Sequence, residues 1–234
     1  ALSQDIDKYI KNKYIIKCKT LDEVKGILGA DPVISKIGRP KRKKWDNKLH
    51  KWVEKARTIL DQRESGVTAA TSLRHRSTLP RGTDAIKDAL AMSADLRDEE
   101  NLGWMVADYE DAFWIVPSSP TERRYTVIYY KGEYLILCRI AQGSRSGPII
   151  FVTVAALCAR LIQSLFLQMK GRRKVTLEEL RLQVFVDDPL AVARGTPARR
   201  KRLFTMLVLG WRLLGIPLAS HTSQIWQGNN VYWH

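Results

Sequence analysis

Residues Val184 to Val192 read VFVDDPLAV. Three apolar residues run into two adjacent carboxylates, and a second apolar run follows. VFV has the composition of the buried end of a strand, where an ionised side chain is costly unless something pairs with it. A tight turn explains two adjacent Asp residues there, and so does a bound cation. The stretch alone does not choose between them.

At 234 residues and 45% apolar composition, the chain is long enough for one large domain or two subdomains sharing a core, and its composition argues against global disorder. No uninterrupted apolar run approaches the roughly 18–20 residues of a membrane span. The N-terminal ALSQDIDKYIKNKY lacks the core of a signal peptide. These features predict an intracellular protein of cytoplasm or nucleus with no membrane partner. A first residue other than Met predicts a piece of something longer. Cys18, Cys138 and Cys158 lie far apart without a CxxC, and His50, His75, His221 and His234 show no ligand spacing. Neither a disulfide framework nor a zinc site is expected. Lys and Arg number 39 against 24 Asp and Glu, a net charge of +15. So basic a domain points to a polyanion, with nucleic acid the leading candidate and a solubilising surface the plainer reading.

Along the chain, Leu21 to Leu28 has helical spacing and PVISKIG reads as a strand. The most basic run follows, RPKRKKWDNKLHKWVEK from Arg39 to Lys55, with Trp45 and Trp52 interleaved. It reads either as an exposed loop or nuclear-import signal, or as a basic hairpin touching phosphates while its tryptophans pack or stack on bases. KARTILDQRES carries a short strand at Ile59-Leu60. Asp84 is expected to cap a helix over DAIKDALAM. WMVADYEDAFWIVP reads as an apolar strand interrupted by carboxylates, and RRYTVIYYKGEYLILCRI as a hairpin turning at Lys131-Gly132. AQGSRSGP opens a long apolar core helix. A short helix over Thr176 to Arg181 precedes the opening stretch, and Thr196-Pro197 starts the next helix. IWQGNNVYWH ends the chain as two strands around an Asn-Asn turn. Strands and helices mix without βαβ alternation, which argues α+β.

Two places carry carboxylates at the end of an apolar strand: Asp108 after WMVA, and Asp187-Asp188 after VFV. Nucleotidyl transfer needs this arrangement, because two cations about 3.5–4 Å apart must grip the attacking hydroxyl, the leaving pyrophosphate and the phosphoryl group between them. Hard oxygen ligands suit Mg²⁺. Acids from separate strands can meet at one sheet edge, where the metals offset their repulsion.

With these motifs in order, the sequence resembles a reverse transcriptase over most of its length. VADYEDAFWIVP resembles the first palm motif, AQGSRSGP the second, and FVDD the third, aromatic-x-Asp-Asp. LGWRLLGIPLAS resembles the fourth, IWQGNNVYW the primer-grip hairpin, and KARTILDQRES a fingers strand. The resemblance implies a right-hand polymerase fold: an α+β palm with an antiparallel sheet packed on helices, plus a fingers subdomain and a truncated thumb. Residues 1–100 would be mainly fingers, with a palm helix near 84–95. Residues 101–234 would be mainly palm, with the first motif at 106–117, a second fingers insertion at about 120–148, the third motif at 184–190 and the grip-like hairpin at 225–234.

The roles it implies are these. Asp108 and Asp187 are the principal ligands of two Mg²⁺ (or Mn²⁺), Asp188 completes the acidic cluster, and the Tyr109 backbone supplies a carbonyl. Backbone amides near Asp111 and Ala112 meet the triphosphate. Arg57, joined by Lys55 or Lys51, reaches it from the fingers. Phe113 lies beneath the incoming sugar and selects deoxynucleotides; otherwise it is an ordinary core Phe. Gln142 and Gly143 line the nucleotide pocket, Gly143 by letting the backbone approach closely. Arg145 touches template or triphosphate, or is merely exposed. Trp226 and Gly228 belong to the hairpin holding the primer end. The partners would be an RNA template, a DNA or RNA primer and dNTPs, with the chain part of a longer polyprotein of a retroelement.

Three departures stand out. The fourth motif lacks its usual lysine and reads PLASHTSQ, so that either His221 is the general acid or the register lies elsewhere. Pro189 directly after the Asp pair is unusual and is expected to stiffen the hairpin turn. Little chain follows the grip. The competing readings are an RNA-dependent RNA polymerase, which Phe113 argues against, and a decayed copy that binds nucleic acid without catalysis, which the intact acids argue against.

Overall fold

A computed structural model describes residues 2–46, 49–74, 76–168, 179–219, 224–227 and 230–233. In chain order the elements are α1 (Leu2–Lys11), β1 (Ile15–Cys18), α2 (Leu21–Leu28), β2 (Ile34–Gly38), β3 (Lys41–Asp46), β4 (Lys51–Ala56), β5 (Ile59–Asp61), α3 (Val67–Ala70), α4 (Gly82–Ser93), β6 (Asn101–Val106), β7 (Val127–Tyr130), β8 (Glu133–Leu137), α5 (Gly147–Gln168), β9 (Leu180–Phe185), β10 (Asp188–Gly195), α6 (Pro197–Leu213), β11 (Gln224–Gln227) and β12 (Asn230–Trp233). They form two compact units, residues 1–75 with 113–148 and residues 76–112 with 149–234.

The first unit is a five-stranded mixed sheet in the order β1-β8-β7-β2-β5, in which only β2 and β7 run parallel. The expected β7–β8 hairpin is present. Lys131 and Gly132 at its tip have φ of 53° and 84°, the pair of left-handed residues that a type I′ turn requires. α1 is not among the elements expected from sequence, although Ile6, Tyr9 and Ile10 recur at helical spacing. Ile6 and Tyr9 join Ile15, Leu60, Trp114, Ile128, Leu135 and Leu137 in the core, and the Tyr9 ring stacks on Trp114 at 4.0 Å.

α1 also anchors the basic run. β3 and β4 pair as a two-stranded ribbon of their own, and the residues flanking its base meet Asp5 of α1. Arg39 Nε donates to Asp5 Oδ2 at 2.8 Å and Thr58 Oγ1 donates to the same oxygen at 2.6 Å. Burial alone pushes the Asp5 carboxyl up, but the Thr58 hydroxyl and the Arg39 guanidinium together hold it below its ordinary value of 3.8. A carboxyl whose folded pKa is depressed stabilises the fold fully above the unfolded pKa, and that contribution is lost as pH falls through the folded value. Acid titration below about pH 4 is therefore expected to loosen the ribbon base. Asp5→Asn should remove this part of the acid sensitivity, read as the pH dependence of the unfolding midpoint.

The second unit is an antiparallel sheet in the order β12-β11-β6-β10-β9, with α4 and α6 packed on β6 and β10. α5 joins it from Ile149 onward. Phe151, Ala155, Ala159 and Ile162 make its buried stripe, and Gln163 Nε2 donates to the Leu182 carbonyl of β9 at 3.1 Å. A Cβ on Gly210 of α6 would lie 3.1 Å from the Ile162 side chain, so any larger residue there requires Ile162 to shift by a few tenths of an ångström. Residues 147–164 are long and apolar enough to cross a membrane by length and composition, although Arg160 interrupts the apolar run. One face packs in the second unit, while Leu157 and Leu161 are exposed.

Two local expectations are corrected. Asp84 lies at the third helical position of α4 rather than capping it, and its carboxylate accepts the Arg81 N–H at 2.7 Å, one half of a capping box. The helix expected over Thr176 to Arg181 falls partly outside the described residues, and Leu180 and Arg181 already belong to β9. Thr196 does cap α6, with Pro197 first in the helix. Within α6, Arg200 is 4% exposed and donates Nη1 to the carbonyls of Asn101 and Gly195. The run ARRKR reads as a solvated basic end. Arg200, however, falls in step with Leu203, Phe204, Leu207 and Trp211, and that spacing is the sequence signal for its burial.

Candidate active site in the second unit

The two acidic strand ends lie side by side because the β6–β10 ladder continues past its formal ends. Leu190 pairs with Val106. Ala107 N then donates to Pro189 O at 2.9 Å and Tyr109 N to Asp187 O at 3.3 Å, in unbroken register. That register sets Asp188 opposite Asp108, with Asp187 one step further, beside Tyr109. On the other side, Ala219 N donates to Asp108 O at 2.8 Å, Glu110 N to Pro217 O at 2.9 Å, and Tyr109 bridges to Leu218. The segment resembling the fourth motif thus flanks the first motif, and residues 107–110 are held from both edges.

The Tyr109 side chain locks this backbone in place. Its ring is 4% exposed and meets Phe151 and Trp211 edge-on at centroid distances of 5.8 and 5.1 Å. Burial, with smaller contributions from Cys158 and Asp187, pushes the phenol far above its ordinary pKa, so it stays neutral. Sequence reasoning credited only the backbone here. An aromatic between two acids is a weak cue, and its packing becomes visible only with α5 and α6 in place.

Asp187 occupies the tip of the β9–β10 hairpin, where Phe185 pairs with Asp188 and Val186-Asp187 form the two-residue turn. Val186 has φ 57°, a conformation that β-branched residues rarely adopt and that costs on the order of 1–3 kcal/mol. The strain sits beside the acid it aims. Pro189 is not in the turn, contrary to expectation. It is a strand residue opposite Val184, and its carbonyl takes the Ala107 N–H. Having no N–H, it cannot return a bond to Ala107, so a single bond joins the strands at that level.

Among the described residues, no group of three or more His, Cys, Asp or Glu side chains stands together as a ready-made metal centre. Mg²⁺ asks for less: one or two carboxylates, with water and substrate phosphates completing the shell. Half-buried Asp108 and Asp187, on neighbouring strand ends, fit that donor set.

The remaining candidates lie in the first unit, apart from Asp111, Ala112 and the grip. Asp111 takes φ 51° and Ala112 is buried. Half-buried Phe113 lies in a 3-10 turn, Ala112–Ile115. Lys51 and Lys55 are exposed on β4, Lys55 opposite Arg42. Arg57 is exposed just past the ribbon, its N–H on the Pro40 carbonyl at 3.3 Å. Arg145 donates Nη1 to the Thr68 carbonyl at 3.0 Å. Trp226 is in β11 opposite Trp104 of β6, whereas Gly228 and His221 lie outside the described residues.

Gln142 and Gly143 bind β5 closely. Leu60 N donates to Gln142 O at 2.7 Å. Gly143 has φ 102°, and a Cβ there would lie 2.3 Å from the Leu60 carbonyl oxygen. The sequence reading placed the close approach of Gly143 in the nucleotide pocket; the approach seen is to this protein's own strand. Gly143→Ala is expected to destabilise the first unit by at least ~1–3 kcal/mol, seen as a lower urea midpoint.

Two solved structures are similar to the whole of this arrangement. One is a foamy viral protease–reverse transcriptase in complex with double-stranded DNA, 16% identical with a TM-score of 0.62, covering 100% of this chain and 34% of that one. The other is the prototype foamy virus protease–reverse transcriptase CSH mutant, 16% identical with a TM-score of 0.57, covering 93% of this chain and 23% of that one. The chain thus spans about a third or less of the proteins it resembles. No protein-family model matches it, and no curated protein matches it in sequence. The fold is α+β, the palm-and-fingers arrangement of right-hand polymerases.

Proposed function

We propose that the chain is the fingers and palm of an RNA-directed DNA polymerase from a retroelement, the second unit serving as palm and the first as fingers. The observation that carries this reading is the unbroken β6–β10 register that sets Asp188 opposite Asp108 and Asp187 one step beyond, with the 217–219 segment alongside. Asp108 and Asp187 would hold two Mg²⁺ ions, with Asp188 adding negative charge and the Tyr109 backbone a carbonyl. When bound, the ions would supply Lewis-acid activation of the primer 3′-hydroxyl and charge stabilisation on the phosphates. The chain's own part is to keep the acids aimed, through the Val186 turn, and to fix the 107–110 backbone from both edges.

Arg57 and Lys55 are the proposed triphosphate contacts, and Phe113 is the proposed discriminator against a 2′-hydroxyl. The partners are an RNA template, a primer and dNTPs. Primer extension on an RNA template with Mg²⁺ and dNTPs tests the reading. Template-dependent growth of the primer is the expected result. A protein that binds the primer-template but never extends it, even with a thumb domain supplied, would be a nucleic-acid-binding module instead. Extension with ribonucleotides in place of dNTPs would remove the role given to Phe113.

A further inference from the structure

The polymerase reading takes only Lys55 from the β3–β4 ribbon and leaves its paired tryptophans unexplained. Its two strands hold Lys41, Arg42, Lys43, Lys44, Lys51 and Lys55, six cations against Asp46 and Glu54, with Lys41 paired to Glu54 at 2.7 Å. Pairing sorts the ribbon into two faces. Trp45 lies opposite Trp52, Lys43 opposite Glu54 and Lys41 opposite Ala56 on one face; Arg42 faces Lys55 and Lys44 faces Val53 on the other. The indoles meet edge to face at 5.7 Å and remain 43% and 65% exposed. A single exposed Trp needs no explanation, but two placed side by side on a cationic ribbon do.

A two-stranded ribbon is marginal alone, and a cross-strand aromatic pair contributes to holding it. That accounts for the contact between the rings, but not for the ring area turned to solvent. We propose that the ribbon is a stacking platform for unpaired nucleic acid, with bases on the Trp45–Trp52 face and phosphates on the lysines and arginine along its edges. Every base has a π-face, so the platform grips a single strand without reading its sequence. A paired duplex hides those faces. The Asp5–Arg39–Thr58 contacts fix the ribbon's base, so that the platform is presented from a firm root.

This inference takes from the proposed function only the class of partner, and its test contains neither dNTP nor divalent cation. Binding of a labelled oligothymidylate is compared with that of an abasic strand carrying the same phosphates. Trp52→Leu keeps an apolar strand residue and removes the stacking surface. It should weaken binding of the base-bearing strand about tenfold or more and leave the abasic strand unchanged. Equal loss on both strands, or no loss on either, would overturn the proposal. If Trp52→Leu lowers the unfolding midpoint, Trp45→Phe with Trp52→Phe preserves the aromatic pair, and a base-dependent loss must still appear. Base-dependent binding without extension would sink the polymerase reading alone; extension without it would sink this one alone.

Discussion

Asp187→Asn is expected to cut dNTP incorporation by about a thousandfold, which corresponds to ~4 kcal/mol of transition-state stabilisation. The amide keeps the size and one oxygen of the carboxylate and removes its charge. A hard divalent ion loses most of its attraction to that position, and the Mg²⁺ or Mn²⁺ concentration that supports any residual extension should rise. Stability should move the other way or not at all. Asp187 adjoins Asp188 in sequence and lies one register step from Asp108, so the amide takes one of three like charges from these strand ends. A thermal melt without metal should therefore show the variant at least as stable as the parent. Extension at the parental rate would remove Asp187 from the chemistry.

Trp211→Ala is expected to cost ~3–5 kcal/mol, the usual loss for emptying a fully buried aromatic site. Trp211 is 0% exposed and packs edge-on against Tyr109. Its removal should also loosen the 107–110 backbone, so activity should fall at temperatures where the protein is still folded. Trp211→Phe retains a ring, and the indole N–H has no hydrogen-bond partner among the described residues, so that exchange forfeits no such bond. Thermal melts of the two variants should differ by several degrees. Equal and small shifts would mean that the ring does not brace the site.

Much of the second unit's plan is legible in residues alone. Apolar runs ending in acids, the Gly-Ser turn before a long helix, and Thr196-Pro197 all act locally, through strand burial, backbone freedom and capping. Arg200 and Tyr109 are different. Each looks like a surface or backbone participant in the linear text, yet each is buried by helices distant in sequence. Pro189 likewise reads as a turn residue until the register shows it in a strand. Gly143 reads as a lining of the nucleotide pocket, but the neighbour that needs its missing Cβ is the Leu60 carbonyl, 83 positions earlier in the chain, and no local pattern names it.

By itself the sequence determined most element types, α1 and the start of β9 apart, together with the basic character and the two acidic strand ends, because periodicity, turn chemistry and charge are properties of neighbouring residues. Only the tertiary structure decided that the two acidic ends share one ladder, that Tyr109 braces them, and that the tryptophans of the basic run sit side by side in the open. Those facts depend on register and on packing between distant segments, which side-chain identity constrains only after the chain has folded.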